Sequence, residues 1–253
     1  MSAAKTVLIT GANRGIGQQV ARVLASEGWD VLVGSRDKAK GEAAAARMRK
    51  DTGGRLKAVE LDVTSDESVA RAAQKLRDGA IRIDALVNNA GVYGAARGAE
   101  GVMRTLQTNF FGPVRVTEAM LPLLRDGATI TNVTSGLGAL ENLDDAPRKR
   151  LAEPNLTREA LIACVRELME GGSWGADGYV ASKAALNALT RVQARELAER
   201  RIRVNATCPG WVRTDMGGRN ASRSVEEGAA SVLFGVTAVE TGGVFRDGKR
   251  VAF

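Results

Sequence analysis

Along the chain, short runs of apolar residues alternate with longer stretches in which apolar residues recur every three or four positions. This is the pattern of a parallel sheet covered by helices on both faces. The first run, 6–10, is followed by a glycine-rich turn and then by Ile16, Val20, Val23 and Leu24 at helical spacing. Runs at 30–35, 56–61, 85–88 and 129–134 read as the next strands, and the Ala-rich, charged stretch 38–50 as the helix between the second and third. Thr64 or Ser65 opens the following helix, with carboxylates in its first turn that favour the positive end of the helix dipole. A helix over about 112–125 contains Pro122, which predicts a kink or an early stop because proline has no N–H to donate.

After Ser135 the rhythm changes. Residues from about 138 to 175 carry clustered charges, prolines and one helix-like stretch, 157–169, with Leu161, Val165 and Leu168 at helical spacing. The segment is too short and too poor in apolar residues to hold its own core, so it reads as an insertion and not as a second domain. A long helix over 179–200 and a strand over 202–207 resume the alternation. A last strand is expected at 242–245, while 219–227 is polar and commits to no element. At 253 residues without an internal repeat, the chain fits a single α/β domain, 1–253.

Composition changes this picture mainly through what is missing. There is no histidine, which removes Ser-His-Asp and Cys-His nucleophile pairs, HExxH metal sites and every imidazole proton shuttle. Tyr93 and Tyr179 are the only tyrosines, so acid–base chemistry falls to these phenols, the carboxylates, lysine, or the cysteines Cys164 and Cys208. The cysteines share no metal or redox spacing and read as free, buried thiols in a reducing compartment. Basic residues number 36 against 29 acidic, a net charge of +7, but no block of like charge forms, which argues against a nucleic-acid partner. No stretch has the length of a membrane span or of a signal-peptide core, so a cytoplasmic protein without a membrane partner is expected.

The strongest local signal is Thr10-Gly11-Ala12-Asn13-Arg14-Gly15-Ile16-Gly17, between the first strand and the first helix. Glycines there let the backbone approach a pyrophosphate, and the helix N-terminus adds unpaired N–H donors. Turns also collect glycine for backbone reasons alone; the position at the start of a βαβ series is what favours a dinucleotide. The second strand ends Gly34-Ser35-Arg36, where an acidic residue would select the 2′-hydroxyl of NAD and a basic one the 2′-phosphate of NADP. Ser35, Arg36 and, from the glycine turn, Arg14 converge on that position and point to NADPH/NADP+, with the adjacent Asp37 as the contrary sign.

Tyr179 and Lys183 stand four residues apart on one helix and share a face. Such a pair is a common coincidence. Its setting is Ser135, at the carboxyl end of a strand, where open α/β sheets bind ligands. A phenol with a pKa near 10 is a poor acid–base catalyst at neutral pH, and a neighbouring ammonium lowers it. Tyr93 either lines a substrate cleft or is structural. Trp29 and Trp174 read as packing residues, with Trp174 the better placed for a pocket wall, Cys208 as an inert thiol at a buried strand end, and Asn88 as a turn amide.

Taken in order, these pieces resemble the short-chain dehydrogenase/reductases along nearly the whole chain. They are the glycine turn, Asp62-Val63 after the third strand, Asn88-Asn89-Ala90-Gly91 after the fourth, Asn109, Ser135, Tyr179 with Lys183, and Cys208-Pro209-Gly210 after the sixth. The stretch 209–216 and the long insertion between Ser135 and Tyr179 resemble the monomeric, NADPH-dependent carbonyl reductases of that family. The resemblance implies an α/β fold: a single Rossmann-type doubly wound parallel sheet with helices on both faces and an insertion before the tyrosine helix. It also implies a monomeric reductase that uses NADPH to reduce the carbonyl of a small ketone, aldehyde or quinone.

By the same resemblance, Gly11, Asn13, Arg14, Gly15, Ile16 and Gly17 form the cofactor turn, with Ser35 and Arg36 at the 2′-phosphate. Asp62 bonds the adenine amine beside the Val63 backbone, Asn89 meets the adenosine ribose, and Ala90 and Gly91 border the cofactor. Tyr179 gives a proton to the carbonyl oxygen and Ser135 holds that oxygen. Lys183 binds the nicotinamide ribose and depresses the tyrosine pKa, while Asn109 holds a water that links Lys183 to solvent. Pro209, Gly210, Val212 and Thr214 lie at the nicotinamide, and Trp211 with the rest of 211–228 shapes the substrate pocket. Two other readings use the same residues: an NADP-dependent alcohol dehydrogenase working oxidatively, and a non-catalytic NADP-binding regulator. A regulator would be expected to lose part of the Asn-Ser-Tyr-Lys set, and all four are present.

Overall fold

The computed structural model describes residues 4–94 and 98–252, so both ends of the expected 1–253 unit lie outside the described residues. Strands β1 (Thr6–Ile9), β2 (Asp30–Ser35), β3 (Arg55–Glu60), β4 (Ile83–Asn88), β5 (Leu124–Val133), β6 (Arg203–Thr207) and β7 (Val244–Arg246) pair in parallel, and β8 (Lys249–Arg250) returns antiparallel on β7. Their order is β3-β2-β1-β4-β5-β6-β7-β8. The chain works outward from β1 to β3, then crosses to β4 on the other side of β1 and works outward again. That reversal opens a crevice beyond the carboxyl ends of β1 and β4, the place where doubly wound sheets bind ligands.

Successive strand side chains face opposite ways, so a sheet covered on both faces needs near-continuous apolar strands. Val7, Ile9, Val31, Val33, Ala85 and Val87 meet Val20, Leu24, Met48 and Val232 of α1 (Gly15–Ser26), α2 (Lys38–Thr52) and α9 (Val225–Thr237). The intervening Leu8, Leu32, Leu86, Ile130 and Val204 meet Val69, Leu76, Val116 and Met120 of α3 (Asp66–Asp78) and α5 (Gly112–Met120). A third cluster joins α4 (Gly98–Leu106) and α8 (Gly178–Glu196) to α6 (Asp145–Ala152) and α7 (Arg158–Met169) through Leu106, Phe110, Leu151, Leu161, Val165 and Leu189. The insertion therefore buries its apolar residues in a core shared with α8.

The helix expected over 112–125 makes the early stop that Pro122 predicts, ending at Met120, while other elements depart from the sequence expectations: β5 begins at Leu124 instead of 129. Upstream the helix is continuous with α4 through a π-helical turn, Gln107–Phe111. Pro113, which has no N–H to give, sits just after that turn and is carried inside a longer helical path. The polar stretch 219–227 leads into α9, whose start is a capping box: Glu227 N–H donates to Ser224 Oγ at 3.1 Å and Ser224 N–H to Glu227 Oε2 at 2.7 Å.

Candidate active site

The glycine turn is held from behind by β4. The Thr10 hydroxyl accepts from the N–H groups of Asn89 (3.0 Å) and Ala90 (2.9 Å), and Asn89 Nδ2 donates to the carbonyls of Thr10 (2.8 Å) and Gly11 (3.2 Å). These bonds leave no space for side chains: a Cβ on Gly17 would lie 2.3 Å from Asn89 Nδ2, and one on Gly11, at φ +65°, 3.0 Å from Ala90 Cα. At Arg14, α1 starts with no side-chain cap and no acidic residue in its first turn; α3, by contrast, has a Ser65 cap and Asp66 and Glu67. The uncapped N–H groups and the positive dipole end of α1 suit a pyrophosphate. A dinucleotide fits this cradle.

At the expected 2′-phosphate position, Ser35 is 2% exposed, and its hydroxyl donates to Asp37 O at 2.8 Å. Its hydroxyl is thus engaged inside the fold, while Arg36 and Arg14 are exposed. Arg14 pairs with Asp215 at 2.7 Å. Asp37 caps α2 by accepting from Lys40 N–H at 3.0 Å, which holds its carboxyl below the ordinary range. Asp62 makes a turn of its own, accepting from Thr64 N–H (2.9 Å) and Thr64 Oγ1 (2.7 Å), and Val63 is buried against Gly112.

The acid–base groups gather at the carboxyl ends of β4 and β5. Ser135 follows β5 and caps a short 3-10 turn, Gly136–Gly138, that lies against α8. Tyr179 is half-buried in the first turn of α8. Burial pushes its phenol above the ordinary value near 10, and a hydrogen bond with the Ser135 side chain pulls the other way. Lys183 is 5% exposed, its ammonium donates to Val133 O at 2.8 Å, and burial lowers its pKa to about 8. Nζ lies 5.7 Å from the Tyr179 ring centroid. Ser135 thus opposes the effect of burial on the phenol, and Lys183 lies beside the ring.

Asn109 sits in the π turn, a distortion that often marks functional sites. Its Oδ1 accepts from Val92 N–H (2.8 Å), and its Nδ2 donates to Val92 O (2.9 Å) and Ser182 Oγ (3.1 Å). Asn109 and Lys183 converge over Gly91, where an added Cβ would lie 3.3 Å from Asn109 Oδ1 and 3.8 Å from Lys183 Nζ. Ser182 and the Val92 backbone are parts of this arrangement that sequence reasoning missed; Ser182 adjoins Lys183 in the chain, but nothing in the pattern pairs it with Asn109. Tyr93 proves to be at the site, 56% exposed and edge-on to Tyr179 with centroids 4.8 Å apart.

After β6, Pro209 is buried and Gly210 adopts φ +79°, where a Cβ would meet the Arg223 side chain at 2.5 Å. Val212 is buried against Gly228, and Thr214 packs over Gly15 at 3.5 Å from its Cβ position. The segment closes on itself through Trp211 Nε1–H to Gly217 O (2.9 Å) and Arg223 N–H to Trp211 O (3.0 Å). Asn13 and Ile16 flank the glycine turn half-buried. Trp174 is buried in the core shared by the insertion and α8.

A doubly wound sheet with an uncapped glycine turn and a serine, a tyrosine and a lysine gathered at its carboxyl edge defines a dinucleotide-dependent oxidoreductase. Residues 5–144 match the family model described as short chain dehydrogenase, and 149–235 one described as enoyl-(acyl carrier protein) reductase. The chain is 36% identical to (+)-neomenthol dehydrogenase of Arabidopsis thaliana, covering 88% of each protein, and 33% identical to carbonyl reductase [NADPH] 1 of Oryctolagus cuniculus, covering 91% of this chain and 90% of that one. The solved structure of salutaridine reductase from Papaver somniferum superposes with a TM-score of 0.88 at 28% identity, over 96% of this chain and 99% of that one. The protein belongs to the short-chain dehydrogenase/reductase family.

Proposed function

We propose that the protein reduces the carbonyl of a ketone, aldehyde or quinone to an alcohol with NADPH, Tyr179 being the proton donor. The observation that carries this reading is the gathering at one sheet edge of the Ser135 turn, Tyr179 and Lys183, whose Nζ lies 5.7 Å from the Tyr179 ring centroid, with Asn109 beside Lys183 over Gly91 and the uncapped glycine turn alongside. NADPH supplies the hydride. The hydroxyls of Ser135 and Tyr179 hold the carbonyl oxygen, and Tyr179 passes its proton to that oxygen as negative charge develops on it. The Lys183 ammonium, fixed by Val133 O, serves the cofactor ribose, and Asn109 orders the proton path behind it.

Burial pushes Tyr179 up, so at neutral pH the phenol holds the proton that the reductive step donates. The rabbit relative's name states carbonyl reduction with NADPH, in keeping with Arg14 and Arg36. Tyr93, Leu137, Trp211 and Met216 are exposed apolar side chains that adjoin Tyr179, follow Ser135 or lie on the segment after β6, a surround suited to an uncharged substrate. Both cysteines are free and buried, which fits the cytoplasm. Tyr179→Phe is expected to keep NADPH binding, read by cofactor fluorescence, and to lower kcat by about 100- to 10,000-fold. Undiminished turnover in a screen of aldehydes, ketones and quinones would refute the mechanism.

A further inference from the structure

Asn187 is four residues beyond Lys183 and eight beyond Tyr179, so the three share one stripe of α8. It is 1% exposed. Its Nδ2 donates to Gly138 O at 3.1 Å, and because that carbonyl only accepts, the orientation of the amide is fixed. Its Oδ1 has no hydrogen-bond partner among the described residues. A leucine has the same branched side-chain skeleton and would bury no orphaned carbonyl, so packing alone does not account for an amide here.

Gly138 closes the 3-10 turn that Ser135 opens: Gly138 N–H donates to Ser135 O at 3.0 Å, and Leu137 N–H to Ser135 Oγ at 3.2 Å. The turn lies so close to α8 that a Cβ on Gly138 would be 2.7 Å from the Lys183 carbonyl carbon. We propose that Asn187 is a positioning residue: its amide pins the Ser135 turn onto α8, so that the Ser135 hydroxyl meets Tyr179 in one geometry. The inference rests on the reading that these two hydroxyls hold the substrate oxygen, and it links them to a third position on the Tyr179 helix.

The test is Asn187→Leu in the full chain, alone and combined with Ser135→Ala. Alone, it is expected to lower kcat about tenfold or more while KM for NADPH stays unchanged, since misplacing a reacting group by a fraction of an ångström is costly. In the cofactor-free protein, tyrosinate absorbance assigned against Tyr179→Phe should show Tyr179 titrating at higher pH. With Ser135 already alanine, the second substitution should change kcat less than about twofold, because the two act through one contact. Equal losses in both backgrounds, or an unmoved tyrosine titration, would overturn the pinning role. Full turnover in Tyr179→Phe would defeat the catalytic reading instead, and the titration would still decide the pinning. Should the leucine variant not fold, Asn187→Ser removes the long amide without adding volume and carries the same readouts.

Discussion

Lys183 shows how one side chain couples stability to chemistry. Burial takes its pKa from the usual 10.5 to about 8, so between those values the unfolded chain holds a proton that the folded chain has released. Stability from this group therefore rises with pH across that window and is lost as pH falls through 8, a change on the order of 3 kcal/mol. Urea denaturation from pH 7 to 10.5 should show that rise in the unmodified protein and a flatter profile in Lys183→Met; parallel profiles would mean that the ammonium stays solvated. Arg36 makes a separate prediction. Losing its charge-assisted contact should raise KM for NADPH about 10- to 100-fold in Arg36→Asp and shift preference toward NADH. Equal efficiency with both cofactors in the unmodified protein would contradict the assignment. Ser35, read with these arginines for its hydroxyl at the end of β2, is buried and donates to Asp37 O.

Among the elements, the glycine turn and the segment after β6 meet through Thr214 over Gly15 and through Arg14 with Asp215. The ion pair is 70% and 78% exposed, so it contributes little by itself. With Arg14 at the 2′-phosphate as proposed, that phosphate would compete with Asp215 for it, and removing the carboxylate would also remove a like charge from the cofactor's approach. Asp215→Asn should tighten NADPH up to about fivefold and change NADH less, measured by fluorescence titration of each; weaker NADPH binding would show that the carboxylate orients Arg14 instead of competing for it. The element boundaries show where sequence patterns ran short. Ser224 and Glu227 carry the capping signal for α9, but the polar run 219–223 before them hides where the helix begins. The π turn at Asn109 has no periodic signature, because its extra residue shifts the register in the middle of a helix.

For the whole molecule, α7 packs on both α4 and α8, and its apolar side joins their core. We therefore expect a monomer, since the insertion occupies helix faces otherwise open to a second copy. Light scattering should give the mass of one chain, and a dimer or tetramer would refute this. The alternation of apolar runs, the glycines of 11–17, the strand-end Ser135 and the spacing of Tyr179 and Lys183 were enough to determine the parallel sheet and the family, since each depends on local chemistry and chain order. What the tertiary structure alone decided is which polar atoms find each other. Ser135 comes to Tyr179, Asn109 to Val92 and Ser182, Asn187 to Gly138, and Asp215 to Arg14 across 201 residues. No period in the sequence encodes such contacts; they arise because the sheet order brings distant strand ends to one edge, and burial there sets the protonation of the groups it encloses.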